Sequence, residues 1–157
     1  MIAGEPYEEL PDAYWPGTVI PHRPPIFAFG PAYTYAEIVQ FGEADGAFGP
    51  KEFITNWGER VVLHLNKKFE LPPGQGIDLD FLYTKRGTSI HKEPWIIFKL
   101  RTNYTSGVPR GQMEEIKHYF TKLGKRPMWW ISDKNTKLEE DYRLLNVEMY
   151  DDDDDKE

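Results

Sequence analysis

The sequence predicts an α+β domain: a small, largely antiparallel sheet packed by two or three helices, with an extended N-terminal arm and an acidic C-terminal tail. Two stretches, 77–83 and 95–102, alternate apolar and polar residues as half-buried strands do. Apolar residues at helical spacing mark 50–69 and 110–123. The first 33 residues carry seven of the chain's 13 prolines, which fix φ and remove donors, so that segment is expected to be extended or turn-like. The boundaries that follow are arm 1–33, domain 34–150 and tail 151–157.

The arm also holds Tyr7, Tyr14, Trp15, Phe27, Phe29 and Tyr33. A flexible linker has few rings, so aromatics interleaved with proline predict an arm that lies on a surface, its own or a partner's. Thr34 and Glu37 have the spacing of a capping box opening a short helix to about Phe41. Pro50 suits the first position of a second helix, on which Phe53, Ile54, Trp57, Val61, Leu65 and Phe69 form one stripe until Pro72-Pro73-Gly74.

Strand 77–83 places Ile77, Leu79, Phe81 and Tyr83 on one face, and strand 95–102 does so with Ile96, Phe98 and Leu100. Paired antiparallel, they predict Leu79 opposite Leu100, Phe81 opposite Phe98, Tyr83 opposite Ile96, Asp80 opposite Lys99 and Asp78 opposite Arg101. Pro109 opens a further helix with Met113, Ile116, Phe120 and Leu123 inward and Gly124 as its stop. Residues 127–131 read as a buried strand whose adjacent Trp129 and Trp130 point to opposite faces. Thr136 and Glu139 form a second capping box, leading a helix with Leu138, Tyr142 and Leu145 on one side.

Composition narrows the function classes. The 157 residues contain no cysteine, which removes disulfides and cysteine-ligated metals and fits a reducing, intracellular compartment. No apolar run approaches the roughly 20 residues of a membrane-spanning helix. Of the net charge of −7, the tail supplies −5, leaving −2 on the body, unlike the basic footprint of a nucleic-acid binder. The histidines at 22, 64, 91 and 118 lack metal-ligand spacing, Ser106 lacks a nucleophile elbow, and residues 72–76 lack the lysine of a phosphate loop. Asn103-Tyr104-Thr105 matches a glycosylation sequon.

One charged constellation remains, that of Asp78, Asp80, Lys99 and Arg101. Its plain reading is a ladder of cross-strand ion pairs on a solvent face, each contributing roughly 0.2–1 kcal/mol. The order helix, strand with aspartate, strand with lysine, helix, strand over residues 50–132 also resembles the core of the restriction-endonuclease-like superfamily, named for its PD-(D/E)XK signature. That resemblance implies Asp78 or Asp80 as metal ligand, Lys99 as the lysine, and Gln112 as the glutamine some branches carry at the next helix. In such a fold the acids hold Mg²⁺, which polarises the phosphate and generates hydroxide. The acid expected two residues before the lysine is replaced by Ile97, which cannot ligate a hard cation, and Glu93 lies outside the strand.

With no complete catalytic set and no cofactor motif, the expected function is that of a non-enzymatic structural or interaction subunit of a larger intracellular assembly. It would bind other protein subunits through Tyr14, Trp15, Phe27, Phe29, Trp95, Trp129 and Trp130. The alternative is a Mg²⁺-dependent nuclease or a degenerate nucleic-acid-binding relative using Asp78, Asp80, Lys99 and Gln112, with Glu93 as a further metal ligand.

Overall fold

Local signals set the helix ends. In the computed structural model, which describes residues 6–17, 24–47, 56–82 and 96–132, the Thr34 hydroxyl accepts from the Glu37 N–H at 3.1 Å. The Glu37 carboxylate accepts from the Thr34 N–H at 2.9 Å. This capping box opens α1 (Tyr35–Ala44). Helix α2 (Trp57–Lys68) starts later than Pro50, because Asn56, a residue favoured at the cap, has non-helical φ and ψ. It buries Val61 and Leu65, with Phe69 just beyond its end, and leaves Leu63 exposed. Helix α3 (Arg110–Lys122) buries Ile116 and Phe120 and ends before Gly124, whose φ of +81° suits a helix stop. Leu123, expected inward, is 49% exposed, since the helix closes one residue before it.

Strands β1 (Phe27–Gly30), β2 (Ala32–Tyr33), β3 (Asp78–Phe81), β4 (Ile96–Lys99), β5 (Arg101–Thr102) and β6 (Met128–Ile131) form two three-stranded antiparallel sheets, ordered β5-β1-β6 and β2-β4-β3. The α+β class is therefore the one expected. The two sheets join where Leu100 N–H donates to Phe29 O at 2.7 Å and Phe98 N–H donates to Pro31 O at 3.1 Å. Residues 27–33, expected to close the arm, are thus sheet. Pro31 leaves an acceptor but no donor, so the strand is interrupted there without ending.

The β3–β4 register departs from expectation by two residues. Asp78 faces Lys99, Leu79 faces Phe98, Asp80 faces Ile97 and Phe81 faces Ile96. A displacement of two keeps every side chain on its face, so hydrophobic alternation cannot tell the two registers apart. The other edge of β4 carries a β-bulge. Between the pairs Phe29–Arg101 and Ala32–Ile97, one strand has Gly30 and Pro31 while its partner has Phe98, Lys99 and Leu100. Glycines bracket this bulge: a methyl at Gly30 would fall on the Phe98 carbonyl oxygen, and one at Gly107 (φ +62°) on that of Leu100. The extra residue puts Leu100 and Arg101, adjacent in sequence, against the same side of the sheet.

That side carries the main core. Tyr33, Phe41, Phe98 and Phe120 pack as a ring cluster with centroid separations of 5.1–6.5 Å, and all three helices contribute to it. Fully buried rings such as Phe98 and Phe120 stabilise the fold by roughly 3–5 kcal/mol each on the scale of truncation to alanine. The opposite side is smaller but not solvent-facing. Ala28, Ala32, Leu82 and Ile97 cluster there with half-buried Trp130, and an antiparallel bridge joins Leu82 to Ser132. Trp129 and Trp130 take opposite sides, as alternation predicts.

The described part of the arm folds onto this body. Tyr7 exchanges backbone hydrogen bonds with Trp129 at 2.8 and 3.0 Å, covering the outer edge of β6. A short 3₁₀ turn, Asp12–Tyr14, follows. The buried Asn103 amide donates to Tyr14 O at 2.8 Å and Pro25 O at 2.9 Å, and its oxygen accepts from the Phe27 N–H at 2.9 Å. The sequon match therefore falls on a side chain committed to the fold. The expected Tyr83–Ile96 pairing does not form, since Phe81 takes the place opposite Ile96; Trp95, Glu93, Phe53, Ile54, the second capping box and the acidic tail lie outside the described residues.

Candidate functional site

The expected charged ladder is only partly assembled. Lys99 Nζ stands 3.9 Å from Asp78 Oδ2, the Asp78 side chain 70% exposed. Asp80 does not join them at the surface. It is 1% exposed, lies opposite Ile97, and accepts from Ser132 Oγ at 3.0 and 3.2 Å. Gln112 belongs to α3, which packs on the other side of the sheet, so it does not meet Asp78, Asp80 or Lys99. Among the described residues no three His, Cys, Asp or Glu side chains converge on a metal-sized position.

The aromatic residues expected as docking anchors divide into two groups. Tyr14, Phe27 and Phe29 are buried in the protein's own core, where Tyr14 and Phe27 rings lie 5.0 Å apart. The arm's rings thus settle on their own domain, the first of the two surfaces their composition allowed. Trp130 is half-buried on the smaller face, and its indole N–H donates to Gly30 O at 3.2 Å. Trp15 is half-buried, and Trp129, 7% exposed and part of the core, lies beside it at the edge of a cleft. Their rings meet edge to face at 5.3 Å and, with Phe29, Met113, Arg101 and Lys117, wall an open cleft of about 420 Å³. That size falls within the range of natural ligand pockets.

Every wall of this cleft has a structural origin. Trp15 is held by the turn after Tyr14, its indole donating to Leu10 O at 3.2 Å. Trp129 is fixed by β6 and by its exchange with Tyr7. The bulge turns Arg101 toward both, and its guanidinium carbon stands 5.2 Å from the Trp15 ring and 5.9 Å from that of Trp129. Lys117, from the inward side of α3, lies 5.9 Å from the Phe29 ring. Arg101 spends its Nε on the Thr102 carbonyl at 3.1 Å, and burial lowers its pKa, although a guanidinium stays charged at neutral pH. Sequence reasoning singled out the two indoles but placed Arg101 in the β3 ladder. Only the bulge reveals that it belongs with them.

A second polar cluster was not anticipated. Asp45, at the end of α1, accepts from Tyr119 Oη at 2.7 Å and lies 2.7 Å from His64 Nε2 and 3.3 Å from Lys68 Nζ. Burial pushes its pKa up, but these donors and the Lys68 charge outweigh burial and hold it below the usual range. Burial and then the Asp45 carboxylate push Tyr119 up. The four side chains tie α1, α2 and α3 together. The spacing of His64 and Lys68 on one helix face was readable, their shared acid was not.

A further cation, Lys125, sits near β2. Lys125 donates to Glu37 Oε1 at 2.7 Å and to Ala32 O at 3.1 Å while lying 4.8 Å from the Tyr33 ring. Burial raises the Glu37 pKa, yet its bonds with Lys125 and Thr34 win and lower it. No helix among the described residues is long and apolar enough to cross a membrane. No family model, curated protein or solved structure matches this chain.

Proposed function

We propose that this protein is a non-enzymatic interaction subunit of a larger intracellular assembly, and that it holds a protein partner in the cleft between its N-terminal segment and the sheet. The observation that carries this reading is the cluster of Trp15, Trp129 and Arg101 at an open cleft. Tryptophan and arginine are the residue types that dominate binding energy at protein interfaces, most of all in pockets. Phe29 adds to the cleft wall, while Tyr14 and Phe27 support the site from behind. In size-exclusion chromatography of native extract, the wild-type chain is expected to elute in a complex and Trp15→Ala largely outside it. A wild-type chain that elutes alone would defeat the reading.

A second reading, a Mg²⁺-dependent nuclease or a nucleic-acid-binding relative of one, draws support from Asp78 and Lys99 facing each other across β3 and β4. It relies on Asp78, Asp80 and Lys99 without Gln112. Incubation with Mg²⁺ and single- or double-stranded DNA and RNA tests it. Cleavage lost in Asp78→Ala would favour it over the first, and an absence of both cleavage and low-salt binding would retire it.

A further inference from the structure

Arg101 differs from the half-buried lysines. Among the described residues the half-buried lysines, Lys99, Lys117 and Lys125, each stand within ion-pair distance of a carboxylate: Asp78, Glu114 and Glu37. Arg101 has none within that distance, although it is half-buried and flanked by two indoles. Its Nε is used on Thr102, which leaves the terminal nitrogens of the guanidinium to form the fork that binds a carboxylate through two parallel hydrogen bonds. The nearest acids do not fill that role. Glu8 and Glu9 line the cleft, and the Glu8 carboxylate pairs instead with Arg126.

We infer that Arg101 anchors a carboxylate of the bound partner, and that the cleft takes a protein segment carrying one carboxylate beside an apolar or aromatic side chain that lies against Trp15 and Trp129. This deepens, and rests on, the interaction reading above. Two features select a single carboxylate over a polyanion. The cleft offers one unpaired guanidinium rather than a basic groove, and Glu8 and Glu9 at its rim repel a chain of phosphates. The walls supply the rest: two indoles, Phe29 and the flexible Met113 accept an apolar group of varied shape.

The probe is a matched pair, N-acetylphenylalanine and its amide, titrated into the full chain while the Trp15 and Trp129 indole and Arg101 Nε signals are followed by ¹H–¹⁵N NMR. The acid is expected to shift all three and the amide to bind about tenfold or more weakly. Arg101→Met should bind acid and amide alike, with the rest of its spectrum reporting an intact fold. Equal binding of acid and amide to the wild type would overturn the carboxylate anchor while leaving the apolar cleft as the docking site. An acid preference that survives in Arg101→Met would also overturn it. If neither compound moves the indoles at its solubility limit, the cleft reading falls together with the anchor.

Discussion

Among the cations that lie over aromatic rings in this protein, Lys125 and Arg101 have surroundings that differ in one respect. Lys125, over Tyr33, is closed on all sides of its chemistry: Glu37 neutralises it, Ala32 accepts from it, and the ring lies beside it. Arg101, beside Trp15 and Trp129, has aromatic neighbours and a backbone acceptor but, among the described residues, no acid within ion-pair distance, and it faces a cleft. Desolvating a charge is costly unless an opposite charge or good hydrogen bonds offset it. The first arrangement is complete in the folded chain. The second is what the proposed partner carboxylate would complete, and that is the difference between a structural contact and a candidate binding site.

The largest expected effect comes from the feature that separates the two. Gly30→Ala drives a methyl onto the Phe98 carbonyl and should destabilise by roughly 3 kcal/mol, the upper range for overpacking. It should also turn Arg101 away from the indoles. A urea midpoint close to wild type would show that the bulge does not depend on this close approach.

Lys125→Met comes next, at roughly 1–2 kcal/mol, since it leaves both Glu37 and the Ala32 carbonyl short of a donor. Its pH dependence sharpens the comparison. The Glu37 pKa is lowered in the folded state, so the stability it supplies is present above the unfolded value of about 4.3 and is lost as pH falls through the folded value. The difference between Lys125→Met and wild type should therefore shrink in urea titrations repeated in acid. Asp45, lowered likewise, adds an acid-sensitive component of the same sign that Asp45→Asn removes. The Arg101 cleft should contribute none.

Tyr33→Phe should act in the opposite direction. Among the described residues the buried Tyr33 hydroxyl finds no hydrogen-bond partner, and removing it should stabilise by about 1 kcal/mol. Burial, then the nearby Tyr119, Glu37 and Asp45, raise its pKa, so the folded state retains the proton longer than the unfolded one. That contribution is full below about pH 10 and lost as pH rises through the folded value. Thermal melts in that range should show a shallower alkaline decline for Tyr33→Phe. The smallest stability change belongs to Arg101→Met, expected within about 0.5 kcal/mol, because methionine keeps the contact with the indoles and removes a desolvated charge. A loss as large as that of Lys125→Met would show Arg101 to be a structural cation after all.

How much of this was legible depends on the reach of each signal. The capping box at Thr34 and Glu37, the stripe of Val61, Leu65 and Phe69, and the stop at Gly124 involve residues within a few turns of one another. The split of Trp129 and Trp130 follows from strand geometry alone. The β3–β4 register was misplaced by two because alternation repeats every two residues, and cross-strand charge matching favoured Asp80–Lys99 where the fold uses Asp78–Lys99. Residues 27–33 were taken for arm because the surrounding prolines argue against regular structure. In the fold they pair with residues some 70 positions later in the chain. Of the candidate site, the indoles were picked out, but neither Arg101 as their neighbour nor Asp45 as a tie among three helices.

The chain by itself settles which segments become helices, which residues alternate across a strand, and that the class is α+β. These follow from backbone sterics, caps and periodicity acting over short stretches. Which strand lies beside which, where the extra bulge residue falls, and which cation is left without an acid were decided only in three dimensions. Their free energies come from groups far apart in sequence that share one sheet or one cleft, and no short window contains both partners.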